Sequence, residues 1–247
     1  MGQTHHLPAA LLDGATPVLP RPDFAFRRTR QKVFFIGFNK TATSALHMMM
    51  LASGVRALHG SGNGKLFGRR QAERDKVPNV AQHIASNIDA DRDPIAGLGD
   101  YDAFLDMTVG PRDLCRKFKA FHHHHPSAIF VLHTREREAW IKSRIGHKKS
   151  VRETAQTLGV PEVEVPGHWR KDFDDHHAEV RSYFVDNPRF FEWNIVNKIN
   201  ILADFLNGCN VPADPAYFFR IRETGGLYFQ PPLRAVLAPS DVPILSE

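Results

Sequence analysis

Cysteine is scarce: Cys115 and Cys209 are the only two in 247 residues. Two thiols cannot frame a disulfide-stapled fold, and without any Cys-x-x-Cys pair there is no ordinary structural zinc site. A reducing, cytoplasmic setting is therefore expected. Long apolar runs are absent as well. No stretch approaches the roughly eighteen apolar residues of a membrane span. The opening MGQTHHLPAALLDGATPVLPRPDF lacks the basic start and unbroken apolar run of a secretory signal. Gly2 hints at myristoylation, but His6 stands where that motif needs Ser or Thr. Nor is there a block of one charge. The 32 Lys and Arg and 27 Asp and Glu are interspersed, for a net charge of +5. Basic and aromatic residues are not interleaved along any strand pattern, so no nucleic-acid partner is expected. A small anionic ligand suffices for the modest positive balance.

What is present reads as one α/β domain. A chain of 247 residues that is 42% hydrophobic can bury one substantial core. Pro8, Pro17, Pro20 and Pro22 fall without period, which predicts an irregular arm over 1–31 and a folded domain over 32–247. From Lys32 onward, apolar runs of strand length alternate with helical periodicity. Strands are predicted at Val33–Gly37, Val55–His59, Ala103–Asp106, Ile129–His133 and Arg189–Trp193. This alternation belongs to a parallel sheet with helices on both faces, where ligands sit beyond the carboxyl ends of the strands. The longer, more polar segments Gly60–Pro94 and Gly146–Asn187 are the expected places for an acceptor pocket or lid.

The first strand leads through Phe38-Asn39-Lys40-Thr41-Ala42-Thr43-Ser44 into the helical run Ala45–Leu51. Unsatisfied amides at a helix start, with Lys40, Thr43 and Ser44 beside them, make a phosphate cradle. The alternative is that the two hydroxyls merely cap the helix. A Walker loop is excluded by register: with Gly37 as its first glycine, the second falls on Ala42 and the lysine on Thr43. The next motif follows the strand ending at His133, where Arg135 is followed eight residues later by Ser143 on a predicted helix. A guanidinium fork and a hydroxyl suit a second phosphate.

These residues resemble the sulfotransferases that use 3′-phosphoadenosine 5′-phosphosulfate (PAPS). Asn39-Lys40-Thr41-Ala42-Thr43-Ser44 is similar to their P-K-[ST]-G-T-[TS] loop, with Asn39 replacing proline and Ala42 replacing glycine. A side chain at residue 42 is expected to crowd the approach of the 5′-phosphosulfate, although many residues tolerate a helix-entry conformation. The resemblance implies a P-loop, nucleotide-kinase-like fold with a central parallel sheet. It implies PAPS as co-substrate, 3′-phosphoadenosine 5′-phosphate as product, and no metal. It gives the 5′-phosphosulfate to residues 39–44, the 3′-phosphate to Arg135 and Ser143, and the leaving oxygen to Lys40. Arg222, near Gly225-Gly226, matches a C-terminal donor loop. The family's base lies near a strand end between the two phosphate motifs, which makes Asp106 the leading candidate, with His59 and His83 in reserve. The acceptor would be a small molecule or carbohydrate bearing a hydroxyl or amine. Two other readings stay open: a kinase or nucleotide hydrolase with Asp106 on magnesium, and a non-catalytic nucleotide-binding module.

The run His122–His125 invites a metal reading, but four consecutive residues point in different directions on a helix. A solvated helix end before Pro126 is expected instead. Met48, Met49, Met50 and Leu51, and likewise Trp140, Trp169 and Trp193, are assigned to packing.

Overall fold

The apolar runs form the predicted strands, one parallel partner after another. The computed structural model describes residue 29, residues 31–60 and residues 80–218. Arg222 and nearly all of the predicted arm lie outside the described residues, as do residues 61–79. Five strands make the main sheet: β1 (Val33–Phe35), β2 (Ala57–His59), β3 (Ala103–Leu105), β6 (Ile129–Thr134) and β7 (Phe190–Asn194). Their order is β2-β3-β1-β6-β7, every pair parallel. A short antiparallel hairpin, β4 (Thr108–Val109) and β5 (Arg112–Asp113), follows β3. Its two-residue strands are too brief to leave a periodic signal. Its turn is set by Gly110, whose φ of 55° suits the first central position of a two-residue hairpin loop.

β1 is the pivot of this order, because the chain leaves it to one side and later returns to the other. In register, Phe34 lies between Phe104 of β3 and Phe130 of β6. The ring centroids are 5.3 and 5.4 Å from that of Phe34, an aromatic ladder across the centre of the sheet. Alternate residues face opposite ways and separate two cores. Phe34, Phe104, Phe130 and Leu132 meet one set of helices: α2 (Val80–Asp89), α3 (Phe118–His124), α4 (Arg137–Ile145), α5 (Lys148–Leu158) and α6 (Val165–Tyr183). Val33, Phe35, Leu105 and Val131 meet α1 (Thr43–Ala52) and α7 (Ile199–Gly208). Helices thus cover both faces. Met48, Met49, Met50 and Leu51 are buried, as are Trp140, Trp169 and Trp193.

The segment Gly146–Asn187, where an acceptor pocket or lid is expected, is mostly helical. Its main element, α6, buries Val165, Trp169, Phe173, His176, His177 and Val180, a spacing of about one helical turn that makes a single inward stripe. It is a core helix. Among the described residues, no helix is long and apolar enough to cross a membrane.

Candidate functional site

Because β3, β1 and β6 are adjacent, their carboxyl ends bring the β1 loop, Asp106 and Arg135 to one edge of the sheet. The loop leaves β1 through Gly37, where a Cβ would stand 1.8 Å from the backbone oxygen of His133. Only glycine lets the chain pass β6 this closely. Lys40 and Ala42 then both adopt left-handed backbone, with φ of 63° and 66°. Ala42 thus lies outside the helix-entry conformation that a side chain tolerates easily, in the region that glycine enters without cost. Left-handed residues separated by one other recur in backbone nests that bind anions.

Ala42 is also the N-cap of α1, and no side chain caps the helix. Thr43 and Ser44 are its first residues, so neither acts as the cap. The first helical bond runs from Leu46 N–H to Ala42 O at 3.0 Å, and there is no acid in the first turn. The amides of residues 43–45 therefore have no acceptor in their own helix, and they lie at the positive end of its dipole. Thr43 is buried, while Ser44 and Lys40 are half-buried.

The loop is braced from beneath. His176 Nε2 donates to Ile36 O at 2.8 Å, and Gly37 N–H donates to His133 Nδ1 at 3.2 Å. Thr41 Oγ1 donates to Phe38 O, and Trp140 Nε1 to Asn39 O at 2.9 Å. Arg135 Nη1 donates to Lys40 O at 3.1 Å. A third histidine, His177, bonds Phe173 O through Nδ1 at 2.7 Å, and its Nε2 meets Thr134 Oγ1 at 2.7 Å. Burial lowers the pKa of His133 to about 3 and of His176 to about 4, and it lowers His177 as well. All three are neutral near pH 7. Sequence reading missed this group, because histidines within an amphipathic stripe look like packing until their partners are known.

At the end of β3, Asp106 is the first residue beyond the strand, with φ of 50°. Its Oδ2 lies 3.2 Å from His59 Nε2 at the end of β2, so the leading candidate base and its reserve form a pair. Gly60 permits this closeness, since a Cβ there would meet Asp106 O at 1.9 Å. Behind them His47, fully buried, bonds Ala57 O through Nε2 at 3.1 Å, and its ring is 5.4 Å from that of His59. Burial and the adjacent His59 lower its pKa to about 3. The hairpin that follows Asp106 is tied to α4 by a buried ion pair, Arg144 Nη2 to Asp113 Oδ2 at 2.9 Å. The Arg144 guanidinium also lies over Trp140 and Trp169. Burial raises the Asp113 carboxyl against the pull of Arg144.

Arg135 follows β6, as the spacing predicted. Glu136 caps α4 by accepting from the amides of Glu138 and Ala139 at 2.8 and 2.6 Å, so α4, unlike α1, has its first donors occupied. An anion near it would therefore rely on side chains. Arg135 offers Nε, which is buried and has no hydrogen-bond partner, and Ser143 is half-exposed on α4. His83 is instead bonded to Ala96 O at 2.7 Å on α2.

The histidine run ends α3. His123 and His124 are exposed, whereas His122 bonds the Tyr183 hydroxyl at 2.9 Å and His125 bonds Asp93 at 2.9 Å. Among the described residues, no group of three or more His, Cys, Asp or Glu is arranged to hold a metal ion.

A family model described as a sulfotransferase domain matches residues 32–163, more than half of the chain. No curated protein matches it.

Proposed function

This chain belongs to the sulfotransferase family, and we propose that it transfers a sulfuryl group from PAPS to a hydroxyl or amine of its acceptor. The supporting observation is the bond from Arg135 Nη1 to Lys40 O at 3.1 Å. It joins the β1 loop to the end of β6, the two places to which this reading assigns the 5′-phosphosulfate and the 3′-phosphate. The uncapped start of α1 and the buried, unpartnered Arg135 Nε fit a ligand with two anionic groups.

Bound there, PAPS would supply an activated sulfur: its bond to the bridging phosphate oxygen breaks as a new bond forms to the acceptor atom. The residues divide the remaining work. The amides of residues 42–45 and the hydroxyls of Thr43 and Ser44 face the 5′-group, while Thr41, whose buried hydroxyl donates to Phe38 O, and Asn39 shape the turn. Lys40 stabilises negative charge growing on the leaving oxygen. Arg135 and Ser143 hold the 3′-phosphate. The proton leaving the acceptor goes to the His59–Asp106 pair, where Asp106 both accepts and orients. Its carboxylate would be a weak base alone, and the adjacent imidazole supplies a second proton site.

The test is calorimetric titration with 3′-phosphoadenosine 5′-phosphate in chelator, repeated with ATP and magnesium and with Lys40→Ala and Arg135→Ala. Binding without metal that prefers the 3′-phosphate and weakens at least tenfold in each variant supports the reading. Magnesium-dependent preference for ATP would replace it with the kinase-like alternative.

A further inference from the structure

Every residue from Ile36 to Lys40 has a backbone group held by a side chain, and four of those groups are carbonyls. A loop that receives an anion must present N–H groups and keep its C=O groups away, because a carbonyl aimed at the anion repels it. Turning carbonyls inward requires donors in the interior. Two of the donors, Trp140 and His176, are 0% and 1% exposed, so neither can touch a ligand.

His176 is poorly explained by packing. Its ring lies edge-on to Phe38 and near Phe118, at centroid distances of 4.9 and 5.9 Å. A phenylalanine would fill that place without burying a polar atom, whereas His176 leaves Nδ1 buried and unpartnered. Its one polar contribution is the proton donated to Ile36 O. Trp140 does the same for Asn39 O, three residues along the chain.

We propose that His176 and Trp140 are positioning residues for the donor loop: they draw the carbonyls of Ile36 and Asn39 into the core and so hold the amide-lined face toward the 5′-phosphosulfate. This rests on the donor reading above for its ligand, but not for the order of the loop. His176→Phe removes one donor with its shape nearly kept, Trp140→Phe removes the other together with part of the buried ring, and His176→Gln keeps an N–H donor.

Hydrogen exchange of the amides of residues 37–44, measured without ligand, is expected to quicken about five- to tenfold in both phenylalanine variants. Affinity for 3′-phosphoadenosine 5′-phosphate should fall by a similar factor, and His176→Gln should recover most of both. Loop exchange unchanged in both phenylalanine variants would overturn the proposal, whatever happens to the melting temperature. Faster exchange spread evenly over the protein would also overturn it, since that is the signature of plain destabilisation. The exchange measurement needs no nucleotide. If the parent protein fails to bind the nucleotide, the donor reading falls while the exchange result still decides the loop.

Discussion

Replacing Ala42 by glycine should stabilise the protein, which reverses the usual effect of adding glycine at a helix. Ala42 has φ of 66° and ψ of 21°, left-handed backbone that costs a residue with a Cβ about 1–2 kcal/mol. Glycine removes that strain, but it frees the unfolded chain and forfeits about 0.4–1 kcal/mol. Losing a half-buried methyl takes a few tenths more, by the scale of about 0.8 kcal/mol for a fully buried carbon. The net expectation is a gain of about 0.5 kcal/mol, or a rise of about 1–2 °C in melting temperature for a domain of this size. Ala45→Gly is the control. It makes the same chemical change three residues later, inside α1 and buried, where glycine costs about 1 kcal/mol. Urea denaturation of both variants reads the two signs directly. Equal destabilisation by Ala42→Gly and Ala45→Gly would refute the left-handed loop, and with it the cradle built on that geometry.

The buried histidines make stability fall with acid. His47 and His133 have folded pKa values of about 3 and His176 about 4, all below the ordinary 6.5, so the unfolded chain takes up more protons than the folded one as pH drops. Stability should be complete above pH 6.5 and be lost by about 1.4 kcal/mol per histidine per pH unit below it. A urea midpoint that is the same at pH 7.5 and 5.5 would contradict this. Arg144→Met removes one partner of a buried ion pair and leaves Asp113 uncompensated, so a loss of about 3–5 kcal/mol is expected in denaturant titration. A loss under about 1 kcal/mol would mean that the pair is solvated. His59→Ala and Asp106→Asn should each lower turnover by about 10²–10⁴ with little change in nucleotide affinity, and the double variant should fall little further. Additive losses would show that the two residues act separately.

The strands were legible because each is an apolar run bounded by polar or glycine residues, and the observed elements lie within two residues of those boundaries. A parallel sheet with helices on both faces followed from alternation, and with it the placing of Lys40, Asp106 and Arg135 at strand ends, but the strand order did not. The His59–Asp106 contact was not legible as a pair. It depends on β2 and β3 being neighbours and on Gly60 letting them close, neither of which local sequence specifies. The braces under the loop were hidden for the same reason: His176 lies 140 residues from the carbonyl it binds. The backbone of Ala42 was not legible either, since alanine is a strong helix former and nothing in the local sequence marks it for left-handed backbone.

The match to the family model ends at residue 163, whereas α6 begins at Val165. A fragment trimmed to that shared region would lose His176 and Phe173 from beneath Phe38. β7 would go too, turning β6 from an interior strand into an open edge. The smallest piece able to keep the site intact is therefore longer than the matched segment, and it extends at least through β7.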